Sequence, residues 1–347
     1  MIKFFRKIRQ NLLSEGKTGK YFKYALGEII LVVIGILIAL QINLKSQEKT
    51  NRNNIENILK SVFTNLKNDI SHPINTYIYG FNIKDSIGNL ILNKTITPAD
   101  YKNTNPQFGG SIAYHLTYEF EPFQFQRQAY DRLMANIENI PEDYIPIVNL
   151  LQDVYSKEVP VVNEVALELK KFIDEIEDKY QNKYEWYSNA DSTHFSQKVA
   201  YMMSDPLYLN DVKRHQKIAD HLKRHLIALK MQISIAYSRI YNQFNYNHPF
   251  PDSMEQFYFP TQEELEEYVG VYGNNKGSNI TLRANDYYLF DGDNFKLVKA
   301  NNKFVPVTNP SDAYIEFVRN EGGIVNALTI NRIRDNDTLT TVHNKIK

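Results

Sequence analysis

The residue whose type and place most suggest chemistry is a carboxylate inside an apolar stretch. Glu28 lies in the run YALGEIILVVIGILIALQI, residues 24–42. A carboxylate in hydrocarbon is costly, so Glu28 is a candidate for proton-linked chemistry or for binding a partner. It lies only about four residues inside the run, roughly 6 Å at helical rise, where it could also anchor the helix by pairing with Lys20 or Lys23. The sequence leaves both roles open.

Two histidines in the second half of the chain have a spacing that can chelate a metal. His221 and His225 lie at i and i+4 on one face of a predicted helix that also carries His215. Lys223 and Arg224 surround them with positive charge, and the sequence indicates no third ligand, so a solvated basic face is the favoured interpretation. No Gly-x-Ser-x-Gly motif occurs. The sequence therefore predicts no catalytic residue, no cofactor and no metal.

The apolar run predicts a membrane-spanning helix. A helix of its 19 residues crosses a bilayer core of roughly 30 Å. Lysine and arginine are concentrated before the run, so the positive-inside rule predicts a cytoplasmic N-terminus and an exported body. A cleaved signal peptide is the competing interpretation, but no small-x-small cleavage site follows the run.

The basic segment before the run, residues 1–23, has a pattern of its own. Between Ile2 and Leu13, apolar residues lie along one side of a predicted helix and basic residues lie mostly on the other. Such a helix would bind the anionic headgroups of the inner leaflet. The lipid bilayer is thus the first predicted partner.

Small residues inside the run predict close packing between helices. Gly27, Gly35 and Ala39 fall at multiples of four, and this spacing lets two membrane helices approach closely. A homodimer through this face is one hypothesis. The alternative is that small residues are simply common in membrane helices.

The opening MIKFFRKIRQNLLSEGKTGKYFKYALGEIILVVIGILIALQIN, residues 1–43, resembles the start of a family of uncharacterised single-pass membrane proteins of the Bacteroidota, catalogued as a domain of unknown function. The resemblance continues more weakly to about Phe244. It implies a Gram-negative inner membrane and a periplasmic body, and it implies no activity. In that family an Asn-Asn-Trp-Asn-like sequence usually follows the span, whereas NLKS begins here at Asn43, so no role of that tryptophan carries over.

Residues 43–248 have the pattern of a helical bundle. Apolar residues recur every three or four positions from Ile55 to Ile70, which predicts that the span helix continues to about His72 and Pro73. Further helices are predicted over residues 77–93, 124–139, 161–186 and 210–244, and Pro141 is typical of the first turn of another.

The last of these helices carries the strongest packing signal. Six apolar residues alternate spacings of four and three over about three heptads; they are Leu222, Leu226, Leu229, Ile233, Ala236 and Ile240. An antiparallel bundle within one chain is one interpretation of this seam. A parallel oligomer is the other.

A proline-rich linker, residues 249–260, leads into a β module, residues 261–347. Thr261 and Glu264 predict a capping box. Short apolar runs separated by Asp-Gly, Asn-Asn and Gly-Gly pairs predict a small antiparallel sheet or half barrel. The segment LEEYVGVY, residues 265–272, and the runs after it resemble the small β domain often appended to β-lactamase-like serine hydrolases. In those proteins another domain supplies the nucleophile, so the resemblance implies no active site here.

Composition excludes several classes of function. Acidic residues outnumber basic ones from Asn43 onward, and a nucleic-acid partner needs a basic surface. The absence of cysteine excludes disulfides and thiolate metal sites. The predicted fold class is a membrane-anchored α+β protein with one N-terminal transmembrane helix, a periplasmic helical bundle and a C-terminal antiparallel β domain.

The sequence-based expectation for function is a membrane-anchored periplasmic interaction or scaffold protein, with a protein partner or a second copy of itself. One alternative is an energy-coupled accessory subunit that uses Glu28 in the membrane. The other is a periplasmic hydrolase or carbohydrate-acting enzyme.

Overall fold

The fold is a set of helices followed by an antiparallel β domain, seen in a computed structural model. The structure describes residues 18–102, 104–105, 110–188, 192–292, 295–307, 312–334 and 337–346. The predicted amphipathic helix between Ile2 and Leu13 lies outside these residues. The chain divides into two compact units: the part up to Ile58 together with Asn136–Pro141, and Leu59–Ala135 together with the residues from Glu142 onward.

The first helix, α1 (Thr18–Asp69), contains the whole apolar run. Among the described residues it is the one helix long and apolar enough to cross a membrane, and none of its apolar window is buried in the chain. Further along, the stripe that begins at Ile55 is buried as far as Leu66. The same helix therefore has an exposed apolar part and a part that contributes to a core.

The helix does not end at Pro73, contrary to the sequence prediction. A π-helical turn, Ile70–Ile74, follows α1, and α2 (Asn75–Leu92) continues from it. Proline lacks an N–H donor and its ring crowds the carbonyl four residues back, so it breaks a regular α-helix. The wider π turn accommodates Pro73, because its hydrogen bonds skip one more residue.

The remaining helical elements follow in chain order. They are α3 (Pro98–Lys102), α4 (Gln128–Met134), α5 (Ile145–Gln152), a π turn (Asp153–Glu158), α6 (Val159–Lys183), α7 (Glu185–Ser188), α8 (Ser192–Ser204), α9 (Pro206–Gln243) and α10 (Gln262–Leu265). Strands β1 (Thr104–Asn105) and β2 (Gly110–Ser111) form a two-residue antiparallel pair between α3 and α4. The helix α8 was not predicted from the sequence.

The helix predicted over residues 124–139 is shorter than expected. It is limited to α4, with a separate 3₁₀ turn at Ile137–Asn139. The residues before α4 are held in an open conformation by two contacts: the backbone N–H of Gln126 donates to the Asp69 carboxylate at 3.1 Å, and the Tyr77 hydroxyl donates to the Glu121 carbonyl at 2.9 Å. These bonds replace the helical ones, so tertiary contacts override the local pattern.

Asp69 is a buried carboxylate and should make stability depend on pH. Its side chain is 1% exposed. Burial raises its pKa to about 6, against the hydrogen bond from Gln126, which lowers it. The pKa of Asp69 in the folded state lies above the unfolded value of 3.8. Between pH 3.8 and pH 6, the folded state therefore binds a proton on Asp69 more tightly than the unfolded state does. The contribution of Asp69 to stability is therefore largest below pH 3.8, and it is lost as the pH rises through 6.

When the pH is lowered from 7.5 to 5, we expect the free energy of unfolding of the wild type to increase by about 1 kcal/mol relative to that of Asp69→Asn. Urea denaturation of the full chain in detergent, at both pH values, measures this difference. Equal differences at the two pH values would show that Asp69 titrates normally.

The β domain is a closed barrel, which corrects the predicted sheet or half barrel. Its strands are β3 (Gly270–Gly273), β4 (Asn279–Asn285), β5 (Tyr288–Asp291), β6 (Phe295–Ala300), β7 (Lys303–Pro306), β8 (Ala313–Arg319), β9 (Val325–Arg334) and β10 (Asp337–Lys345). Each strand pairs antiparallel with the next, and β10 pairs with β3 to close the barrel. The strands β3 and β10 were not predicted. The polar sequence DTLTTVHNK of β10 gives little hydrophobic alternation to recognise.

The predicted Asn-Asn turn of the β domain is present. Asn301 and Asn302 connect the paired residues Ala300 and Lys303, and Asn301 has φ 54°, the left-handed conformation that Asn tolerates. The capping box is confirmed: the Glu264 N–H donates to Thr261 Oγ1, and the Thr261 N–H donates to the Glu264 carboxylate. The barrel interior is filled by aliphatic and aromatic side chains.

The segment predicted as a linker is attached to both neighbouring structures. Phe257 is fully buried, and its N–H donates to Ser238 Oγ on α9 at 3.0 Å. The next residue, Tyr258, forms an isolated bridge with Lys299 of β6. Residues 257 and 258 thus connect the bundle to the barrel by hydrogen bonds.

Candidate binding cleft between the bundle and the barrel

The candidate residues of the apolar run lie in α1. A Cβ added at Gly27 or Gly35 would meet no atom within 4 Å. Ala39 is exposed and Glu28 is half-buried. The hypotheses that these residues pack a dimer or carry a proton stay predictions.

The six seam residues are buried within the chain. None of their side chains is more than 1% exposed, and α9 packs against α2, α5 and α6. This arrangement corresponds to the bundle interpretation of the seam, since the apolar face is already covered by helices of the same chain.

The three histidines of α9 lie in two different places. His221 and His225 lie near the surface with their Nε2 atoms 3.1 Å apart. Burial, His221 and Arg224 lower the pKa of His225. His215 instead lies in the core beside His115, with ring centroids 5.3 Å apart. Among the described residues, no group of three potential metal ligands comes together.

A cleft of about 380 Å³ lies where the bundle meets the barrel. Five parts of the chain form it: α5 with the π turn after it, the C-terminal part of α9, the segment Phe259–Thr261, the tip of the β4–β5 hairpin, and Lys296 of β6. This size lies in the range of small-molecule sites, which occur preferentially between domains. The cleft is therefore a candidate functional site.

Aromatic rings and cations form one wall of the cleft. The rings of Phe259 and Tyr287 meet edge to face, with centroids 4.9 Å apart. The Arg239 guanidinium lies over both rings, 5.1 Å and 5.4 Å from their centroids. The Lys296 ammonium lies 5.4 Å from the centroid of Tyr288. Two cations are thus held on ring faces inside one cleft.

The hairpin tip is built to place its side chains in the cleft. Asn285 pairs with Tyr288, which leaves Asp286 and Tyr287 as the two turn residues. Asp286 adopts φ 53°, a conformation that aspartate tolerates better than most residues. Burial is the main cause of the raised pKa of Tyr287 and of Tyr288. Both phenols therefore stay neutral and act as hydrogen-bonding groups at neutral pH.

Two carboxylates also line the cleft. Asp153 begins the π turn after α5 and forms an ion pair with Lys157. Asp286 is exposed at the hairpin tip. With Arg239 and Lys296, the cleft presents groups of both charges, and the Asp153 charge is partly balanced by Lys157.

The sequence analysis did not identify any residue of this cleft as functional. Asn285-Asp286 is a turn pair followed by two tyrosines, and this signal could have located the hairpin tip. Arg239 has no distinguishing local signal, because it resembles any polar residue on the less buried face of a helix. Comparison with models of protein families, with curated proteins and with solved structures finds no match to this chain.

Proposed function

We propose that this chain is a membrane-anchored binding protein whose body, from about Asn43 onward, lies on the outer side of the membrane. The apolar run of α1 serves as the anchor, and the bundle and barrel together present the binding surface. Residues 1–23 remain in the cytoplasm, where their basic face contacts anionic lipid.

The observation that carries this proposal is the exposure of the apolar run. From Leu26 to Leu44, the large apolar side chains are between 47% and 64% exposed. Exposed apolar patches of this extent mark contact with a membrane or with another protein. A continuous helix with all its backbone groups bonded internally satisfies what a bilayer requires.

The direction of insertion follows from charge. Seven basic residues precede Ala25, and cytoplasmic flanks of membrane helices carry such an excess. The resemblance of residues 1–43 to single-pass proteins of the Bacteroidota supports the same direction and an inner-membrane location.

A binding role is supported by the cleft. It combines aromatic surface, hydrogen-bonding side chains and two cations in a space large enough for a small ligand. A partner protein that uses the same face is compatible with this role.

Protease shaving of spheroplasts tests the anchor and its direction. With one epitope tag before Met1 and another after Lys347, added protease should remove the C-terminal tag and leave the N-terminal tag intact. Lysed spheroplasts, in which both tags are accessible, are the control. Protection of the C-terminal tag, or release of a soluble shortened product, would contradict the proposal.

A further inference from the structure

The cleft holds two cations, Arg239 and Lys296. Among the described residues, neither Arg239 nor Lys296 has an ion pair. Elsewhere on α9, the helix of Arg239, Arg214 pairs with Glu175. Arg239 is half-buried, and its guanidinium lies against two rings, 5.1 Å from the centroid of Phe259 and 5.4 Å from that of Tyr287, which restricts its movement. A guanidinium that is already restricted loses little conformational entropy when it binds a ligand. Its planar N–H groups match the geometry of a carboxylate or a phosphate. This wall of the cleft is therefore suited to an anionic group.

The rest of the cleft is not suited to a simple anion. Asp286 and Asp153 are acceptors only, so a ligand beside them must supply hydrogen-bond donors. Asn149 of α5 adds a donor and an acceptor on the same side. A ligand that carried only negative charge would be repelled by the two carboxylates, whereas one with hydroxyl groups would donate to them.

The ring faces and prolines of the cleft add a third requirement. Phe259, Pro260 and Tyr287 offer apolar surface beside the polar groups. A purely apolar ligand would leave Arg239, Lys296 and Asp286 desolvated without partners, which is unfavourable. A ring that has apolar C–H faces and hydroxyl groups at its edges satisfies both kinds of surface.

We infer that the cleft between the bundle and the barrel binds an anionic sugar, with its carboxylate or phosphate at Arg239 and Lys296. Its hydroxyl groups donate to Asp286 and Asp153, and one sugar face packs on the Phe259 and Tyr287 pair. This inference rests on the binding role proposed above and names the ligand class for it.

Binding to the full chain in lipid nanodiscs, measured by isothermal titration calorimetry, tests this inference. The probes are a glucuronate-containing disaccharide, a disaccharide phosphate, the matching neutral disaccharide, benzoate and inorganic phosphate. We expect at least one anionic disaccharide to bind about tenfold or more tightly than the neutral one, as for a hydrogen bond to a charged group. Whichever anionic disaccharide binds more tightly identifies the acidic group.

Two variants and a matched control assign the binding to the cleft. Arg239→Gln and Lys296→Gln should each weaken binding of the anionic disaccharide about tenfold. Arg214→Gln removes an arginine of the same helix that stacks 4.9 Å from the Phe172 centroid, outside the cleft, and should change affinity less than about twofold. Lys296 is exposed, so its replacement keeps the test valid if Arg239→Gln does not fold.

Four results would overturn the inference. They are binding of none of the disaccharides, equal binding of the neutral disaccharide, unchanged affinity in the cleft variants, and binding of benzoate or phosphate as tight as that of the anionic disaccharides. The protease experiment does not depend on this ligand. A protected C-terminal tag therefore refutes the membrane orientation, whereas a failed titration refutes the sugar site alone.

Discussion

Replacing Val33 and Leu37 together by arginine should remove the chain from the membrane. The two side chains are 47% and 55% exposed near the middle of the apolar run. Each arginine at the centre of a membrane helix costs about 3 kcal/mol on insertion scales, so the pair should cost about 6 kcal/mol. The measurement is the fraction of protein that stays in the pellet after carbonate extraction of membranes, which should fall from nearly all to a small residue.

The matched control replaces two exposed apolar side chains of the bundle. Ile145 and Leu167 are 40% and 59% exposed, so arginine at both positions adds the same charge without entering a membrane. This control should remain in the pellet. If the Val33→Arg, Leu37→Arg variant also remained there, the apolar run would not be the anchor.

Truncating the seam of α9 should destabilise the folded body strongly. Leu229 is fully buried, and a large-to-small change at such a site loses both transfer free energy and the contacts that lined the new cavity. We expect Leu229→Ala to reduce the free energy of unfolding by about 3 kcal/mol. Denaturation of the full chain in detergent measures the change.

The concentration dependence of this loss separates the two interpretations of the seam. Because α9 packs on α2, α5 and α6 of its own chain, the denaturation midpoint should not move with protein concentration. A midpoint that rises with concentration would indicate an intermolecular coiled coil instead. Leu167→Ala on α6, at an exposed position, is the control and should change stability by less than about 0.5 kcal/mol.

Local patterns predicted much of the architecture correctly. The long α9, the capping box at Thr261 and the Asn301-Asn302 turn depend on residues close together in the chain, so periodicity and turn chemistry were sufficient. The same holds for the apolar run, since its length and composition alone determine whether it could cross a bilayer.

The errors lie where distant residues override local preference. The segment before α4 is held open by Asp69, whose carboxylate accepts from the backbone N–H of Gln126. Closure of the barrel depends on β10 reaching β3, through pairs such as Lys345 with Tyr272. No local pattern encodes these contacts, because each depends on where a remote segment lies.

The cleft also depends on contacts between segments that are distant in the chain. Arg239, Phe259 and Tyr287 come from a helix, a connecting segment and a hairpin tip, and each residue has an ordinary structural explanation in its own segment. Short-range chemistry thus determined the long helices and the turns, since their energies depend on neighbouring residues. The closed barrel and the cleft required the folded chain, since only the packing of bundle against barrel brings these aromatic rings, cations and carboxylates together.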